Sequence, residues 1–97
     1  MTDTLEKAID WMDRALREIR ETLAQVDPDK REEATLNAAD HLERRSQDKG
    51  CILALYHGKE NLLSWVWWHE VEVACRCSGL TIFDMWLAAA RVKAGAE

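Results

Sequence analysis

The stretch Asn61–Cys77, NLLSWVWWHEVEVACRC, holds three of the chain's five tryptophans and two of its three cysteines. Its reading decides the fold, because it carries two periods at once. Val71, Val73, Cys75 and Cys77 alternate with Glu70, Glu72, Ala74 and Arg76, as in a half-buried strand. At about 100° per residue, Asn61, His69, Glu72 and Arg76 instead share one narrow arc, and Leu62, Val66, Trp67, Val71, Val73 and Cys77 fill the opposite side. No Gly, Pro, Asn or Asp interrupts 62–77. Seventeen residues are too many for an ordinary strand. Glu72 and Arg76 form a correctly ordered i,i+4 pair, and Ser78-Gly79 supplies a C-terminal stop. The helix is therefore the expectation, with a β-hairpin involving the preceding CILALYH as the alternative.

The segments before it are helical by pattern. Leu5, Ile9, Met12, Leu16, Ile19, Leu23 and Val26 form an a/d seam over three heptads. Asp3 and Glu6 resemble a capping box, and Asp10–Arg14 and Asp13–Arg17 are i,i+4 pairs on the outer face. Asp27 and Pro28 are a natural N-cap and first residue for the next helix. Its stripe of Thr35, Ala38, Leu42, Arg45, Lys49, Ile52 and Tyr56 crosses Gly50. The basic middle of that stripe suggests that Arg45 and Lys49 snorkel. At the other end, Thr81 with Asp84 reads as a cap before IFDMWLAAARVKA, a helix apolar around most of its circumference.

These elements predict one all-α domain over 1–97, an antiparallel four-helix bundle with helices at 4–26, 28–57, 60–78 and 82–94. Gly50 is the one candidate break, since Gly within a helix costs only about 1 kcal/mol. A chain of 97 residues has a thin core. The surplus apolar surface of the third and fourth helices predicts a homo-oligomer, a dimer through those two.

Hydrophobic residues at 47% with 32% charged describe a globular chain, and the net charge of −5 disfavours nucleic acid and anionic membranes as partners. The 13 acids and 9 bases of 1–50, against 5 and 4 in 51–97, are interspersed. Long acidic runs of the kind a nucleic-acid mimic needs are absent. With no secretory leader at Met1-Thr2-Asp3-Thr4 and no apolar run of ~20 residues, a cytoplasmic location and reduced thiols are expected.

Motifs for chemistry are weak. Cys51, His57, His69, Cys75 and Cys77 could supply zinc ligands, but the spacing is C-x-C. On a helix, residues two apart diverge by about 200° and cannot share a metal; on a strand they share a face. HEVEV lacks the second histidine of H-E-x-x-H. ACRCSGLTIFDMWLA has a helix-turn-helix outline, but its second helix offers Thr81, Ile82, Phe83, Trp86 and Leu87 and no Arg, Asn or Gln to read base edges. No cofactor is expected, and no catalysis. Glu70, inside the apolar arc of the helical reading, needs an ion-pair partner, with Arg45, Lys49 or Arg91 in view.

The tryptophans are the strongest signal. Trp67 and Trp86 fall on inward arcs. Trp65 lies on the polar side with His69, Glu72 and Arg76; Trp68 sits at the arc's edge, and Trp11 lies off the seam of the first helix. Exposed indoles are enriched at binding hot spots. The expected partner-binding residues are therefore Trp65, His69, Glu72, Arg76, Trp11 and Trp68. The profile resembles, in type only, the small accessory proteins of phages, mobile elements and bacterial operons, including inhibitors of host defence. The expected function is non-enzymatic: steric blocking of a larger protein or complex. A zinc-dependent or nucleic-acid-binding regulator is the alternative.

Overall fold

The computed structural model describes residues 3–55, 63–76 and 80–96. The four-helix expectation does not hold. The order is α1 (Asp3–Ala24), a 3₁₀ turn (Pro28–Lys30), α2 (Arg31–Asp48), β1 (Ile52–Ala54), β2 (Ser64–Trp68), β3 (Val71–Cys75) and α3 (Thr81–Ala96). Three helices accompany a three-stranded antiparallel sheet of order β1-β2-β3. The helix expected over 60–78 is a β-hairpin among its described residues.

α1 follows its heptad pattern. Met12 and Leu16 are buried, with Ala8 and Ala15 beside them, and Leu5, Ile9, Ile19 and Leu23 are half-buried against the same core. Small residues at 8 and 15 let the neighbouring helices approach. The two surface pairs form, Asp10–Arg14 at 2.5 Å and Asp13–Arg17 at 2.8 Å. The Asp3 side chain, and with it the expected capping box, lies outside the described residues.

Pro28 opens the 3₁₀ turn as the fixed φ of proline favours, although the Asp27 side chain makes no capping hydrogen bond. α2 does not continue to residue 57. Gly50 adopts φ +93°, its N–H bonds to Gln47 O at 3.0 Å, and the Cys51 N–H bonds to Ser46 O at 3.0 Å. These two bonds define a Schellman motif, which satisfies the last carbonyls and ends the helix. The next residues turn into β1.

β2 and β3 are joined by two residues, His69 and Glu70, at φ 51° and 61°. Both lie in the left-handed region that the tight type I′ hairpin turn requires and that Asn-Gly usually supplies. The register places Trp68 opposite Val71, Val66 opposite Val73, and Ser64 opposite Cys75. On β2's other side, Leu53 pairs with Val66 and Ile52 with Trp67. Residues opposite each other share a face. Leu53, Ser64, Val66, Trp68 and Val71 are buried, with Val73 and Cys75 half-buried beside them. That face packs against the helices. Ile52, Ala54, Trp65, Trp67, Glu72 and Ala74 lie on the other.

α3 completes the core with Ile82, Phe83, Trp86, Leu87 and Ala90, all buried. Its apolar circumference is thus consumed by α1, β2 and β3 of the same chain, and only Val92 stands well exposed. The expected dimer through helices 60–78 and 82–94 loses its basis, since the first is not a helix and the second is covered. The α3 start also differs from expectation. Leu80 O receives the Phe83 and Asp84 N–H groups, and the Asp84 carboxylate accepts from Arg20 of α1. Arg91 reaches Asp13 at 2.9 Å, a second tie between α1 and α3.

Candidate functional site

Among the described residues, the outer face of the sheet is the largest grouping of accessible aromatic and aliphatic side chains. Ile52 is 53% exposed and Trp67, directly opposite it, is 38% exposed. Trp65 stands two residues along β2, half-buried, between Ala54 and Ala74. Glu72, opposite Trp67, and Arg76, just past the end of β3, are exposed and add opposite charges at the margin. No described helix packs on this face.

The expected binding residues divide. Trp65, Glu72 and Arg76 belong to this face or its edge. His69 is in the hairpin turn at one end, half-buried against Trp68. Trp68 is on the other face of the sheet and 5% exposed, so it offers no contact area. Trp11 joins it: their rings meet edge to face at 5.8 Å and 82°. Arg45 and Lys49 of α2 lie over the Trp11 ring at 5.3 and 5.8 Å. The basic middle of the α2 stripe is explained by this cation–π cover. Trp67 moves the opposite way. The helical reading turned it inward; the strand turns it out, because a period of two assigns neighbours to opposite faces.

Trp68 organises the interior behind the site. Its ring lies 5.0 Å from Trp86, its Nε1 donates to Lys49 O at 3.3 Å, and its carbonyl accepts from Trp86 Nε1 at 3.2 Å. One residue thereby ties β2 to the α2 C-terminus, α1 and α3. The hairpin turn is held from α3: Lys93 Nζ is 3.5 Å from the Glu70 carboxylate and donates to Glu70 O at 3.4 Å. Glu70 is therefore an exposed turn residue paired with Lys93, not a buried carboxylate facing Arg45, Lys49 or Arg91.

The thiols differ from expectation as well. Cys51 is free and buried, and loss of hydration pushes its thiol up to about 12. Cys75 is disulfide-bonded, against the expected reduced state. A strand does place C-x-C side chains on one face, but a disulfide sulfur is not a thiolate ligand. Among the described residues no three His, Cys, Asp or Glu side chains are grouped to hold a metal, and no helix is long and apolar enough to cross a membrane. His57 and Cys77 lie outside the described residues.

Two open clefts lie elsewhere. One, between α1, α2 and the start of α3, is lined by Arg20, Leu23, Leu36 and Asp84. The other is the α1–α2 groove around Ile19, Val26 and Ala38. No family model matches the chain, and neither does any curated protein or solved structure.

Proposed function

We propose that this protein is a small non-enzymatic binding module that docks on a larger protein through the outer face of its sheet and acts by steric obstruction. The observation that carries the reading is the pairing of Ile52 and Trp67 across two strands, both exposed, with Trp65 beside them. An aromatic face on a sheet whose other side packs against the helices is a rigid platform with little entropy to lose on binding. Aromatic anchors with a charged margin match the anatomy of protein interfaces. The acidic balance and the type resemblance to phage and mobile-element accessory proteins suit an inhibitor or accessory factor inside a cell. The alternative, a zinc- or nucleic-acid-dependent regulator, has no observation in its favour.

The test is quantitative affinity capture with wild type, a Trp65→Ala/Trp67→Ala variant and a Leu36→Ala control on the far side of the molecule. A protein retained by wild type and control but lost by the double variant supports the reading. Capture that is unchanged by the double variant rejects the sheet face as the docking surface.

A further inference from the structure

We propose that two copies of this chain join antiparallel along the free edge of β3, making one continuous six-stranded sheet. The proposal uses the backbone edge of the sheet, together with the Glu72 and Arg76 side chains that also border the aromatic face.

The bonding pattern defines which groups the edge presents. A two-residue hairpin closes on a hydrogen-bonded pair, here Trp68 and Val71. Bonded pairs then recur at Val66–Val73 and Ser64–Cys75. The intervening residues, Glu72 and Ala74, direct their N–H and C=O groups away from β2, and Arg76 continues the alternation. Among the described residues no strand pairs with this side of β3.

Natural edge strands are blunted by charged side chains, lysine above all, and by proline, bulges, shortness or inward-pointing charge. β1, the other edge, has three residues. β3 has five, VEVAC, with no proline, no lysine and an unbroken register against β2.

The charges select a partner. In antiparallel pairing about Ala74, Ala74 faces Ala74 of the partner subunit, and Glu72 faces Arg76 of the partner subunit, twice by symmetry. All three residues are exposed, and among the described residues neither Glu72 nor Arg76 has an ion-pair partner. Slipping by two residues would put Glu72 against alanine and Glu70 against Arg76, yet Glu70 is already held by Lys93. The small alanine at the two-fold axis removes any clash there. The edge is thus complementary to itself in one register, which suits a second copy better than an unrelated strand.

Analytical ultracentrifugation over a concentration series provides the test. Wild type is expected to show a monomer–dimer equilibrium. Glu72→Arg and Arg76→Glu should each weaken it by roughly tenfold or more, because each puts like charges directly opposite in two pairs. The double swap Glu72→Arg/Arg76→Glu should restore it. Circular dichroism confirms that each variant is folded. Amide exchange in wild type should slow at Glu72, Ala74 and Arg76 as concentration rises. A wild type that stays monomeric into the millimolar range overturns the proposal. So does a dimer indifferent to single reversals, or a double swap no better than either single variant.

Discussion

Trp68 and Trp67 are chemically identical neighbours with opposite roles. Trp68 is buried and makes the tertiary contacts that hold four elements together, while Trp67 faces solvent on the open side of the sheet. Helical periodicity assigned Trp67 inward, and the strand reverses it. Nothing in the indole distinguishes the two positions; the register does. Trp86 and Met12 could be placed from sequence because their helices are defined by pattern over many residues. Cys51 carries a prediction at this scale. Its folded thiol is raised to about 12, above its ordinary value of 9.0. Between those values the unfolded chain has lost a proton that the folded chain retains, so stability falls as pH rises through that window. The slope is at most ~1.4 kcal/mol per pH unit. Chemical denaturation at stepped alkaline pH should show it, and Cys51→Ala should remove that component.

The β2–β3 hairpin is where local signals and the fold part company. β-branched and aromatic residues dominate 64–68 and 71–75, as strands favour. What was missing was a turn signal. His-Glu lacks glycine, asparagine and proline, so an uninterrupted helix was the natural reading, yet both residues take left-handed φ values. Each costs on the order of 1 kcal/mol for a residue with a Cβ. The Glu70–Lys93 contacts and the Trp68–His69 ring contact offset part of that cost. Replacing His69-Glu70 with Asn-Gly should therefore raise stability by roughly 1 kcal/mol, the relief of turn strain exceeding the loss of one exposed ion pair. Thermal unfolding followed by tryptophan fluorescence would read this as a higher Tm; an unchanged or lower Tm would show that Lys93 and the imidazole contribute more than the turn geometry costs. Gly50 was legible in part, as the one break candidate in a stripe that otherwise ran on. Its positive φ and the two Schellman bonds made the break real.

Among the described residues, one helical layer covers one face of a small sheet and no helix covers the other. Trp68→Ala should be the most damaging single truncation among the tryptophans of the hairpin, at about 3–5 kcal/mol, since it leaves a cavity where α1, α2 and α3 converge. Trp65→Ala and Trp67→Ala, on the open face, should each cost well under half of that. Urea unfolding of the three variants makes the comparison, and a Trp67→Ala cost equal to that of Trp68→Ala would contradict the one-sided core. The open face and the free β3 edge are only half visible in the sequence. Trp65, Glu72 and Arg76 share an arc under the helical period, and in the sheet the hairpin register, with Trp65 opposite Ala74, brings them to one face again. Ile52 and Trp67 share no arc, because they come from different strands and join only through pairing.

Sequence alone determined α1, a helical start at Pro28 and the presence of a terminal apolar helix, while the end of α2 lay open between Gly50 and residue 57 until the structure ended it at Asp48. The legible elements rest on signals within a few turns of chain: heptad spacing, a fixed proline φ, an apolar run after Thr81. Tertiary structure alone decided 63–76. Its residues satisfy two periods, and the choice falls to whichever buries Val66, Trp68 and Val71 against α1 and α3 while a lysine from α3 holds a strained turn. Those contacts bring together residues far apart in the chain, and no local pattern records them.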